Sequence, residues 1–183
     1  MMTASSPDGF SLRSAVPVVR PDAVGVDAVK DPYVFSLGGP GGDVLMFVST
    51  FLTPQGPAPT SLATSADGAQ FSWRDQALAV GEGWDGYQAR ISSVMPFGKG
   101  FVAYYDGAAS AAEDTEERCG LAVSIDLRAW RRGTPRQPAL VSPHATGSLR
   151  YVEAVRLQDG WWAYYEYTRR DGSHELRRNF LGG

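Results

Sequence analysis

The feature that most restricts what this chain can become is an internal period near sixty residues. Ser-x-Asp-Gly at Ser6, Asp8 and Gly9 recurs at Ser65, Asp67 and Gly68, and Ser-x-Asp returns at Ser124 and Asp126, the aspartates standing fifty-nine residues apart both times. An aromatic follows the second and third copies, at Trp73 and Trp130. Alignment of Asp31 with Ser92 and Glu153 gives a second marker, spaced by sixty-one residues. A period of this size marks a unit that cannot bury its apolar face alone and stacks on its neighbours to do so.

The repeating unit is built on a hairpin. From Gly83 to Gly107 a polar, aromatic stretch (Trp84, Asp85, Tyr87, Arg90) leads into a strand-like run ending at Phe97, a Gly-Lys-Gly turn, and a second run that ends at Asp106-Gly107. AVKDPYVF with DVLMFVST before it, and LRYVEAVRL with WWAYYEY after it, repeat the pattern. Glycine (21) and proline (12) are plentiful. The apolar runs are short and β-branched or aromatic, and helical periodicity is scarce, which predicts an all-β chain. Strands are expected near 10–13, 28–36, 44–50, 60–65, 70–74, 88–96, 101–106, 119–125, 129–132, 150–157, 161–168 and 174–180. The acidic stretch 108–118 reads as a solvated loop or a short helix.

Four antiparallel strands per sixty residues is the pattern of a β-propeller blade; a β-sandwich tolerates the strands but does not require the period. The expected blades are 14–74, 75–132 and 133–183 within one domain over 1–183, with 1–13 as the outer strand of a preceding blade. Propellers close with roughly four to eight blades, so three imply either a chain truncated at its N-terminus or self-association through open blade faces.

Composition narrows the partners. A formal net charge of −3 without a basic run argues against a nucleic-acid surface. No apolar stretch approaches the roughly eighteen residues of a membrane span, and Met1–Gly9 lacks a signal-peptide core, so no membrane partner and a cytoplasmic location are expected of the chain as written. Cys119 is the single cysteine and reads as a packed core residue. His144 and His174 stand far apart, and GGPGG at 38–42 joins two strands instead of opening a helix, so neither a metal nor another cofactor is expected.

Five short motifs carry a resemblance: Lys-Asp-Pro-Tyr-Val-Phe (30–35), Trp-Asp-Gly-Tyr (84–87), Tyr-Tyr-Asp-Gly (104–107), Gly-Leu-Ala-Val-Ser-Ile-Asp-Leu-Arg-Ala-Trp (120–130) and Tyr-Val-Glu-Ala (151–154). Together they resemble five-bladed β-propeller glycosidases, glycoside hydrolase family 43 and its relatives in families 32, 62, 68 and 130. The resemblance implies a carbohydrate substrate and an active site on the propeller axis, where carboxylates of the innermost strands serve as base or nucleophile, general acid, and modulator of the acid. It places Asp31 at one such position and Glu153 at that of the general acid, while Ser92 departs from the pattern with a hydroxyl where a third acid is expected. Asp85 is the nearest substitute. Trp84, Tyr87, Arg90, Ser92, Tyr105, Asp106, Arg150 and Tyr151 are the expected sugar-binding residues.

Plainer roles compete with these. Asp31 before a proline can bond local backbone at a strand start, Glu153 can pair with Arg90 or Arg150, and the aspartates of Ser-x-Asp fit tight turns. A non-catalytic propeller that binds a carbohydrate or a protein on its channel face therefore stands beside the glycosidase.

Overall fold

The structure, a computed structural model, describes residues 15–38 and 43–183. Among these it contains three antiparallel meanders. The first comprises β1 (Ala28–Ser36), β2 (Val44–Phe51), β3 (Thr60–Ser65) and β4 (Ser72–Leu78). The second comprises β5 (Gln88–Phe97), β6 (Gly100–Ala108), β7 (Arg118–Ser124) and the two-residue β8 (Arg131–Arg132). The third comprises β9 (Leu149–Leu157), β10 (Gly160–Thr168) and β11 (His174–Gly182). Each meander is a propeller blade. The leading strand β5 of the middle blade touches both β1 and β9.

The expected strands are therefore present, with two differences. The third blade has three strands among the described residues instead of four, without the outer strand that β4 and β8 supply beside β3 and β7; 133–148, which precedes β9, is a loop held to β7 where Leu140 bridges Cys119. The first sheet runs on to Leu78, past the boundary expected at 74. The strand expected at 10–13 and the first Ser-x-Asp-Gly lie outside the described residues.

The Ser-x-Asp repeats are self-contained corners. The Ser65 hydroxyl donates to Asp67 Oδ1 at 2.9 Å and accepts the Gly68 N–H at 2.9 Å, while the N–H groups of Ala69 and Gln70 donate to the same Asp67 oxygen. Ser124, Asp126, Leu127, Arg128 and Ala129 repeat this bond for bond. Both corners need a left-handed residue after the aspartate: Gly68 has φ 73, and Leu127 adopts φ 64 while filling the core.

Blades pack through alternating strand faces. Leu45, Phe47 and Leu62 of the first sheet meet Val94, Ala103, Tyr105 and Trp130 of the second. Cys119 and Tyr104 of the second meet Leu149, Val152, Ala163 and Tyr167 of the third. On the second blade's other face, toward the first, Gly120 is required beside Tyr105, since a Cβ on it would sit 2.4 Å from the Tyr105 ring. The far face of the first sheet (Met46, Val48, Ala63) is covered by Val18, Val19, Phe71 and Trp73.

Each leading strand carries a β-bulge at the same place. Lys30 pairs with Ser49 and Tyr33 with Phe47; Arg90 with Asp106 and Ser93 with Tyr104; Arg150 with Glu166 and Glu153 with Tyr164. In each interval the leading strand has one residue more than its partner. A bulge bends the strand and re-aims side chains, as commonly happens beside active sites. Asp31 and Tyr151 take the first bulge position with φ 51 and 55. The true repeat of the leading strands is thus sixty, which corrects the alignment at sixty-one: the counterparts of Glu153 are Ser93 and Tyr33, not Ser92 and Asp31.

Candidate functional site

The three bulges face one another across the centre and frame a cleft of about 280 Å³ lined by Asp31, Pro32, Tyr33, Arg90, Ile91, Ser92, Tyr151 and Glu153. Asp31, Ser92 and Glu153 therefore do converge, although they are not register equivalents. A larger hollow of about 630 Å³ along Gly133–Ala139 has a lone cation, Arg136, and no carboxylate on its wall. The smaller cleft is the one that gathers Asp31, Ser92 and Glu153.

Arg90 organises the cleft. Its side chain is 4% exposed, and its guanidinium donates to Asp31 Oδ2 at 2.6 Å, to Asp106 Oδ2 at 3.0 Å and to Glu117 Oε1 at 3.1 Å. Burial lowers the Arg90 pKa, but the charges of Asp106, Glu117, Tyr151 and Asp31 outweigh it and hold the group above its ordinary value. Asp106 is fully buried and accepts the Tyr151 N–H at 3.0 Å. Burial pushes its pKa up to about 6, against the pull of Arg90 and with the push of Glu117.

The network continues toward the third blade. Arg150 donates to Glu117 Oε2 at 2.7 Å and to Glu166 Oε1 at 2.8 Å, and His174 contacts Glu166 through Nδ1 at 2.6 Å. Gln88 Nε2 completes the Glu117 shell at 2.9 Å. Tyr151 lies beside both guanidiniums, with Arg90 at 4.6 Å and Arg150 at 4.8 Å from its ring centre.

Glu153 differs from the other acids. It makes no ion pair or hydrogen bond with the described residues, and neither Arg90 nor Arg150 reaches it. The residue is open to solvent overall, yet the surroundings of its carboxyl raise its pKa by desolvation to about 7. Tyr33, whose phenol accepts the Val94 N–H at 3.1 Å, is pushed up to about 12 by burial, with the Glu153 charge adding to the effect.

Several expected site residues are engaged elsewhere. Asp85 is fully buried, accepting Tyr105 Oη at 2.9 Å and Arg132 Nε at 2.5 Å, so it ties the start of the second blade to its outer edge and does not supply a third acid. Trp84 stacks on Tyr105 and donates its indole N–H to Thr134 O at 3.1 Å. Tyr105 and Asp106 have no exposed surface, and Tyr87, near Asp114, lies outside the cleft lining. Arg150 reaches the site only through Tyr151 and Glu117. The residue that the sequence reading missed is Glu117: it sits at the end of the acidic stretch taken for a solvated segment, and only its position immediately before β7 hinted that it was buried.

No protein-family model matches the chain, and no curated protein is similar to it in sequence. Solved structures do match in fold. A family 117 glycoside hydrolase produced by the marine bacterium Zobellia galactanivorans superposes with a TM-score of 0.65 at 14% identity, over 85% of this chain and 54% of that one. The β-1,2-mannobiose phosphorylase from Listeria innocua, in complex with β-1,2-mannobiose, gives 0.61 at 19% identity, over 85% and 45%. A family 32 β-fructofuranosidase of Bombyx mori gives 0.61 at 19%, over 84% and 33%. The chain spans about half or less of the length of these proteins. It has, over that span, the fold of the propeller-type glycosidases.

Proposed function

We propose that the cleft is a glycosidase-type site that acts on a carbohydrate, with Glu153 as the general acid and Asp31 as the base or nucleophile. The observation that carries this reading is the contrast between two carboxyl groups on one wall-to-wall cleft. Glu153 is unpaired with a pKa near 7, whereas Asp31 is gripped by Arg90 at 2.6 Å. Glycoside cleavage needs such an asymmetric pair, one group holding a proton for the leaving oxygen and one activating water or attacking the sugar. Arg90, itself fixed by Asp106 and Glu117, sets the direction of Asp31. Tyr151 and Tyr33 wall the place where a sugar ring would lie.

Glu153→Gln and Asp31→Asn each lower turnover of an unactivated glycoside by about 10²–10⁴-fold, and Glu153→Gln loses far less on aryl glycosides whose leaving group needs no proton. Full activity in both variants refutes the assignment. Ser93 stands in the second blade at the position where the third blade places Glu153, and Asp85 does not supply the missing acid. This favours, as the second reading, a propeller that binds a carbohydrate without cleaving it. Glycan binding unchanged in Glu153→Gln, with no hydrolysis by the parent chain, selects that reading.

A further inference from the structure

Successive residues of a strand point to opposite faces, so the side chains of Lys30 and Asp31 would ordinarily diverge. The bulge prevents this. With Asp31 at φ 51, the Lys30 ammonium stands 3.8 Å from Oδ2 of its own neighbour. Arg90 donates to that same oxygen at 2.6 Å. Among the described residues, no hydrogen bond or ion pair reaches Asp31 Oδ1. Two cations, which hold the same place in their respective leading strands, thus share one oxygen of the carboxylate and leave the other free. Lys30 is also held from behind. Asp114, from the segment between β6 and β7, lies 3.8 Å from the ammonium, and the Phe51 ring centre lies 5.1 Å from it. Both ionic contacts are too long for direct hydrogen bonds, so the ammonium acts as a point charge between two carboxylates.

We propose that Lys30 is a positioning residue of the cleft: together with Arg90 it fixes Asp31 by Oδ2 and presents Oδ1 to the substrate, while Asp114 limits how closely Lys30 approaches. Lys30 acts through Asp31 and touches no sugar. The assignment rests on the glycosidase reading for the step that Asp31 performs. A positive charge beside Asp31 favours the ionised carboxylate, the form that activates water or attacks the sugar. The charged groups that face Asp31 are Arg90 from β5 and Lys30 from its own strand, and Glu153, Tyr33 and Tyr151 line the same cleft. Asp106 and Glu117 act on Asp31 through Arg90, and Asp114 acts through Lys30. Lys30 differs from Arg90 in what its loss leaves behind. The side chains of Asp31 and Asp114 are 41% and 32% exposed and regain water, so removing Lys30 strands no buried acid.

The test is the pH dependence of kcat/KM on aryl glycosides, whose leaving group needs no proton, so that the acid limb reports the base. Lys30→Met keeps an apolar stem and removes the charge. Its acid limb moves upward by about 0.2–0.7 of a pH unit, the size set by a partly exposed ion pair, and the displacement shrinks in about 1 M salt. Lys30→Arg restores the parent limb, because a contact of this length depends on charge more than on donor geometry. Asp114→Asn moves the limb the opposite way, because Lys30 then faces Asp31 alone. Carbon NMR of the Asp31 carboxyl in the same chains reads the same displacements without turnover, and circular dichroism identical to the parent shows that the variants remain folded. If no glycoside is cleaved, the glycosidase reading fails and the carboxyl titration alone decides the role of Lys30. A titration unmoved in Lys30→Met, or moved the same way by Lys30→Met and Asp114→Asn, overturns the proposal. So does a loss of activity in Lys30→Met that is equal at every pH, which marks a structural role.

Discussion

Replacing Arg90 by methionine tests whether the buried charges at the centre depend on one another. The side chain is 4% exposed and stands between three carboxylates. Asp31 is 41% exposed and regains water, and Glu117 keeps Arg150 at 2.7 Å. Asp106 has no such recourse: it is fully buried and retains only the Tyr151 N–H. Removing one partner of a buried pair costs about 3–5 kcal/mol. In a chain of this length that lowers Tm by roughly 6–20 °C. The loss must also depend on pH. Asp106 already titrates near 6 with Arg90 present, and without the guanidinium its folded-state pKa rises further above the unfolded value of about 3.9. A raised acid destabilises the fold when ionised, so the deficit is largest above the folded pKa and narrows as pH falls and the proton returns. Thermal melts at pH 8 and pH 5, with Arg90→Lys as the charge-retaining control, measure this. A fall of less than about 3 °C at pH 8, or an equal fall at both pH values, refutes the reasoning.

A carbon NMR titration is expected to place the Glu153 carboxyl near 7, where burial pushes it; its folded pKa exceeds the unfolded value, so its contribution to stability is full below about 4.3 and is lost as pH rises toward 7. If it is the acid, turnover falls on the alkaline side through the same pKa, and a rate that is flat from pH 6 to 8 removes it from that role. Gly120→Ala drives a methyl into the Tyr105 ring, 2.4 Å away, and costs about 1–3 kcal/mol in denaturant unfolding; a neutral result means the ring moves freely. Asp67 and Asp126 are held below the ordinary carboxylate range by the backbone N–H groups that they accept, so the corners they support weaken only as pH falls through those depressed values; carboxyl titrations of Asp67 and Asp126 with midpoints at or above that of a free aspartate contradict this.

The fold was legible because its signals are local. A corner such as Ser124-x-Asp126 satisfies its hydrogen bonds within six residues, so the sequence pattern and the structure coincide. The hairpins are equally local, which is why strand positions could be read to within a few residues. The bulges were not legible: an extra residue in a leading strand leaves no mark in composition, and the spacing of Asp31 from Glu153 carried it unseen. A sharper signal was available in Lys30, Arg90 and Arg150, which recur at sixty residues and pair across their hairpins with Ser49, Asp106 and Glu166. Trp84 and Asp85 misled because polar and aromatic residues before a strand fit a binding surface and a structural corner equally well. Only the contacts with Arg132, Tyr105 and Thr134 distinguish the two.

The shared charges set the size of the piece that evolution or an engineer can move. A corner travels with its own blade, but the second blade's Arg90 is satisfied partly by Asp31 of the first, and its Glu117 partly by Arg150 of the third. Cutting the chain between sheets therefore leaves a buried ion short of its partner on one side of every cut. Single blades cannot be shuffled or duplicated as independent modules here. The smallest exchangeable unit is a blade together with the leading strands of both neighbours, and chimaeras built on that boundary will fold where simple blade swaps will not.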